Sequence, residues 1–170
     1  MLDTRIRRVL TVTAAAILFS AMLSGCGTIT GIINGGDAQR DRDGRVTEEK
    51  QIDIFSLKVG DCLTADALTG GETTSAPVVP CEQAHPFEVY AEFDLEDGEF
   101  PGTEAIEEPA TEFCEAEFAT FVGVGYQESS LAYTWFEPTA ESWSADDRLV
   151  QCIIGDPEGD VQGSLAGVKR

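Results

Sequence analysis

The stretch Phe87-Glu88-Val89-Tyr90-Ala91-Glu92-Phe93-Asp94-Leu95 decides the fold. Apolar residues at 87, 89, 91, 93 and 95 alternate with Glu88, Tyr90, Glu92 and Asp94, a period of two that suits a pleated strand and not a helix. One face is apolar and the other mostly acidic. The segment is therefore predicted to be a half-buried strand of an antiparallel sheet. Asp97-Gly98 and Pro101-Gly102 close it as turns.

Downstream, the period changes. Thr103 is placed to cap a helix, and Glu104, Glu107 and Glu108 fill its first turns, where the positive end of the dipole favours acids. Ile106, Ala110, Phe113, Cys114, Phe118, Phe121 and Val122 recur at helical spacing and make one apolar face, which is expected to be core. Pro109 either kinks one long helix or opens a second after a short leading turn. Gly123-Val124-Gly125 stops it. Residues 131–136 form a further strand ended by Pro138, and Asp146-Asp147 turns the chain into a last strand over 148–154, where Val150, Cys152 and Ile154 share a face.

Upstream, Ile54, Phe55, Leu57 and Val59 lead into Gly60-Asp61-Cys62-Leu63, a short strand turning sharply at Gly60. A Gly/Thr/Ser-rich loop over 69–75 follows, and Val78-Val79-Pro80-Cys81 brings the chain back. The tail after Gly155 is glycine-rich and acidic, with Leu165 positioned to dock onto the domain. The expected fold class is α+β, a small antiparallel sheet packed against one main helix with two disulfides.

The chain has 5 cysteines. Four of them, Cys62, Cys81, Cys114 and Cys152, fall in the domain without any CxxC pair, which removes the thioredoxin motif and the usual zinc-knuckle spacing. Cys62 and Cys81 flank one loop, while Cys114 on the helix and Cys152 on the last strand face the same core. Of the three pairings open to four cysteines, Cys62 with Cys81 and Cys114 with Cys152 is the one taken here. Loop-closure entropy gives roughly 3 and 4 kcal/mol for the two.

The fifth, Cys26, ends Leu23-Ser24-Gly25-Cys26. Arg5, Arg7 and Arg8 precede an apolar run over residues 9–23, the layout of an export signal, and the small-residue site after it reads as a lipobox. Residues 1–25 are expected to be a lipoprotein signal peptide, and Cys26 to carry the diacylglyceryl group that anchors the protein at the outer face of the cytoplasmic membrane. An uncleaved anchor is disfavoured because the run is shorter than the roughly 20 residues of a spanning helix. Arg7-Arg8 also permits twin-arginine export. Residues 26–50 read as a lipidated flexible tether, holding a domain over 51–168 roughly 25 to 30 Å from the membrane. Asp41-Arg42-Asp43-Gly44 is no calcium loop, since the required glycine falls on Val46 and a third early ligand is missing.

Loss of residues 1–25 takes Asp3 and three arginines from totals of 31 acidic and 11 basic side chains, leaving 30 and 8, a formal charge of −22. Nucleic acid is excluded as a partner, because phosphate would be repelled. Anionic lipid is disfavoured for the same reason. The charge serves solubility, and its functional counterpart is a preference for basic peptides or cations.

Little in the sequence nominates a reaction. His85 is the only histidine, so any acid–base scheme needing a neutral imidazole runs through it. No serine sits in a Gly-x-Ser-x-Gly context, the disulfides consume the thiols, and no carboxylate pair stands out among so many. No catalytic residue, cofactor or metal is expected.

Val59-Gly60-Asp61-Cys62, Val79-Pro80-Cys81 running into His85-Pro86-Phe87-Glu88-Val89, and Phe100-Pro101-Gly102 before the helix with Cys114 form an ordered set. Pro138, Trp143, Asp147-Arg148, Cys152 and Gly163-Ser164-Leu165 complete it. Across roughly residues 55–167 this order resembles the septum formation domain family of actinobacterial exported and membrane proteins. The resemblance implies a non-enzymatic extracytoplasmic domain linked to cell division, without an established ligand or catalytic residue. The expected function is binding, to an envelope or division protein, with the surface around His85, Tyr90 and Trp143 as the contact surface because aromatics are enriched at interfaces. The alternative is a small envelope hydrolase or metal-dependent enzyme using His85.

Overall fold

A computed structural model describes residues 37–69 and 74–170. Its strands are β1 (Lys50–Asp53), β2 (Cys62–Leu63), β3 (Ser75–Val79), β4 (Phe87–Asp94), β5 (Ala132–Phe136) and β6 (Leu149–Gly155). Helix α1 (Thr103–Val122) follows β4, and the short α2 (Ala140–Trp143) lies between β5 and β6. Single 3-10 turns occupy Ile54–Ser56, Ala65–Leu68 and Tyr126–Glu128. The strands make one curled sheet in the order β1-β3-β2-β4-β6-β5, and every pair is antiparallel. The expected α+β class, with one main helix on an antiparallel sheet, is what forms.

The strand at 87–95 differs from its reading in one respect. A register shift between Val89 and Ala91 leaves Tyr90 as an extra residue against β6: Val89 faces Ile153, and Ala91 already faces Cys152. Such a bulge reverses the alternation beyond it. Val89 joins a core with Leu63, Val78 and Ile153, whereas Tyr90 and Ala91 join another with Cys114, Phe118 and Cys152. One apolar stripe thus serves two cores, one on each side of the sheet.

Pro109 lies inside a single helix of 20 residues, so the second-helix alternative falls away. Ile106, Ala110, Cys114, Phe118 and Val122, one every four residues, are all fully buried, and that continuous seam holds the helix together through the missing amide. Thr103 does not cap: it is the first helical residue, and Gly102 takes the cap position at φ 86°. Gly123 ends the helix as expected, in the left-handed conformation at φ 88°. The tail then covers the end. Gly167 N–H donates to the Phe121 carbonyl at 2.7 Å and Lys169 N–H to that of Val122 at 2.9 Å, while Leu165 is buried in the helix-side core.

Both disulfides pair as expected, Cys62 with Cys81 and Cys114 with Cys152. The domain boundary expected at residue 51 moves upstream. Residues 38–50, read as tether from their polar composition, pack on the domain: Arg40 bridges Val46, Ala38 and Val46 are buried, and β1 begins at Lys50. Their anchor is ionic. Arg40 forks onto both carboxylate oxygens of Asp61, which also accepts the Lys58 N–H at 2.9 Å. The expected signal peptide over 1–25, the lipid-bearing Cys26 and the first part of the tether lie outside the described residues. Among the described residues, no helix is long and apolar enough to cross a membrane.

Candidate functional site

The three residues expected to form a contact surface are buried instead. His85 is 0% exposed, Tyr90 4% and Trp143 7%, so the patch as read from the sequence does not exist. Each has a structural task that explains the correction.

His85 sits where the chain leaves the Cys62–Cys81 loop. Its backbone pairs with Val161 in both directions, at 3.0 and 2.9 Å, and Nδ1 donates to the Gln83 carbonyl at 2.8 Å. The other ring nitrogen, Nε2, is buried without a partner among the described residues. One ring nitrogen and the sulfurs of Cys62 and Cys81 lie within 4.8 Å of one another. Both sulfurs are spent in the disulfide, so the trio lacks the thiolates a metal would need. Replacing His85 by alanine empties a closed site and frees the Gln83 carbonyl. A loss of about 2 kcal/mol in unfolding free energy is expected, read as a lower urea midpoint. An unchanged midpoint would contradict the structural assignment.

Tyr90 lies on the face opposite Val89, which α1 covers, donating its hydroxyl to the Cys114 carbonyl at 2.6 Å and packing edge-on to Phe118. Burial pushes its phenol far above the ordinary tyrosine range, so it is a neutral donor. Trp143 fixes the turn after β4: its Nε1 donates to the Gly98 carbonyl at 2.9 Å, and the Arg148 guanidinium lies 3.8 Å from its ring centroid. Glu88, read as solvent-facing, is also enclosed. It accepts the Ser164 hydroxyl and the Leu165 N–H, each at 2.7 Å, and so holds the tail down. Burial raises its pKa, and those two hydrogen bonds pull the other way.

What the sequence did not nominate is a groove of about 630 Å³, on the size scale of ligand pockets. One wall begins at Asp53, whose carboxylate accepts the Phe55 N–H at 2.9 Å and starts the 3-10 turn. That turn tucks Ile54 against the core and leaves Phe55 58% exposed. The opposite wall is α2. Thr139 and Ser142 cap it reciprocally, with Ser142 N–H donating to Thr139 Oγ1 at 3.1 Å and Thr139 N–H to Ser142 Oγ at 2.9 Å. Glu141 and Ala145 are carried to the rim by this cap. Phe136 and Gln151, opposed in the β5–β6 register, line it together with Leu149, and Ala67 and Leu68 come from the 3-10 turn after β2.

The charged lining has a single sign. Glu137, Glu141 and Asp147 contribute carboxylates, and no lysine or arginine is among the described residues that line the groove. Glu137 accepts the Trp135 Nε1–H at 2.8 Å and Asp147 the Leu149 N–H at 3.0 Å, so two of the three acids are fixed in place. His85 and the four paired cysteines are absent from the lining. Chemically, the site can desolvate an apolar group beside a cation. Only the exposed phenylalanine was visible beforehand as a residue type, and residue type alone does not reveal exposure.

Fold and site define a class: a disulfide-stapled α+β domain whose chemically active residue types are built into its framework, with an acid-rimmed apolar groove on its surface. The chain belongs to the Septum formation family, whose model matches residues 25–152, three quarters of its length. No curated protein and no solved structure matches it.

Proposed function

We propose that this septum formation domain is a lipid-anchored, extracytoplasmic module that acts by binding an envelope or division protein and not by catalysis. The groove carries this reading, because an exposed Phe55 above an apolar floor is costly in water unless something covers it. The leader ending in Leu23-Ser24-Gly25-Cys26 supplies the anchor. His85 supports binding over the hydrolase alternative: its side chain is enclosed, and it stands apart from the groove lining.

The test uses the full chain in cells, with a photo-crosslinking amino acid at position 55 and, as control, at the exposed Glu112 on the opposite, helix-covered side. Position 55 is expected to trap an envelope or division protein and position 112 not. Cys26→Ala is expected to abolish both the lipid mass on the mature chain and its partition into the detergent phase. Equal products from the two positions, or a Cys26→Ala protein that still behaves as lipidated, would count against the proposal.

A further inference from the structure

We infer that the occupant of the groove is a peptide segment that places a large apolar side chain between lysines or arginines; this rests on the reading of the domain as a binding module. The floor asks for the apolar group. Phe136, Leu149 and Leu68 offer carbon surface, and Phe55 stands above them as a wall that an inserted side chain would cover. The rim asks for the cations. Glu137, Glu141 and Asp147 surround that floor, and the carboxylates of Glu137 and Asp147 each accept one hydrogen bond, which orients them and leaves further lone pairs for an ammonium or guanidinium.

Charge decides among the other occupants. A second copy of this chain brings its own formal charge of −20, and nucleic acid or an anionic bilayer brings phosphate to the same rim. A bare metal ion has no use for a floor of phenylalanine and leucine, and these three acids do not form a close ligand cluster among the described residues, as hard-cation ligands must. A basic, apolar peptide satisfies both features, and the acidity of the whole chain steers it inward.

The experiment measures fluorescence polarisation of three labelled octapeptides with the full-length protein. The first has a central Phe-Leu flanked on each side by two lysines, the second exchanges the lysines for glutamates, and the third exchanges Phe-Leu for Ser-Ser. The first is expected to bind, with salt-sensitive affinity, and the other two at least tenfold more weakly. Phe55→Ser and Glu141→Lys, both at exposed positions, should each weaken the first peptide about tenfold while the urea midpoint stays put.

Equal binding of the lysine and glutamate peptides would overturn the charge class and leave the groove as a binding site. Binding indifferent to both substitutions would place the peptide elsewhere and overturn the inference. Failure of all three peptides, with crosslinking from position 55 intact, would sink the inference alone; failure of both would sink the binding reading too. Phe55-dependent capture by phosphatidylcholine vesicles, or Phe55-dependent self-association in sedimentation, would replace the peptide with a lipid surface or a second copy.

Discussion

Replacing Cys114 and Cys152 together by alanine is expected to lower the unfolding free energy by about 4 kcal/mol, a large part of the 5–15 kcal/mol typical of a domain. The bond joins the middle of α1 to the middle of β6 across 38 residues of sequence, and both sulfurs are buried. Opening it returns chain entropy to the unfolded state and leaves two small cavities where helix and sheet meet. It also loosens the turn of α1 whose Cys114 carbonyl accepts the Tyr90 hydroxyl. The Cys62–Cys81 bond spans only 19 residues, so its removal should cost less, about 3 kcal/mol. Urea unfolding of the two double variants under non-reducing conditions gives both numbers. A Cys114/Cys152 variant within about 1 kcal/mol of the parent would show that packing alone holds α1 to the sheet.

The pairing was legible because each half of it rests on a local, one-sided pattern. Every fourth residue from Ile106 to Val122 is apolar, and alternate residues of β6 face the helix, so Cys114 and Cys152 fall on facing surfaces by periodicity. Periodicity fails where the backbone changes phase. The bulge between Val89 and Ala91 carries no residue signature, since Tyr90 suits a regular strand as well as a bulge, and it moves Ala91 onto the face that Tyr90 already holds. Glu88 and Tyr90 looked like members of a polar outer face because alternation does not reveal that α1 and the tail cover that face as well.

Composition fails in a different way. Residues 38–50 have the charge and polarity of a linker, and only Ala38, Val46 and the start of β1 give them apolar contacts. The groove was invisible for a third reason: it is assembled from β1's exit, the turn after β2, β5, α2 and β6, and its exposed Phe55 looks like any other apolar residue in a short strand. Family membership does not help with such a site, because the match over residues 25–152 names the domain and no residue of the groove.

Asp61→Ala is expected to cost about 3–5 kcal/mol, the range for removing one partner of a buried ion pair. Asp61 is 1% exposed and the Arg40 side chain 13%, so the guanidinium left behind has little water to turn to. Donation to Asp61 raises the Arg40 pKa in the parent; the variant loses that support, but arginine's ordinary value is already so high that the orphaned side chain stays a cation. The Lys58 N–H also loses its acceptor. Since Arg40 is what ties residues 38–46 to the domain, the loss should be local as well as global: trypsin is expected to cut at Arg42 and Arg45 in Asp61→Ala under conditions where the parent resists. Removing both charges separates the causes. Arg40→Met with Asp61→Leu eliminates the buried cation, so it should recover part of the stability lost in Asp61→Ala. If the double variant is instead as unstable as the single, the cost lies in the contacts of this segment and not in an uncompensated charge. If Asp61→Ala loses under about 1 kcal/mol, water reaches the pair and the segment behaves as the tether that its composition suggests.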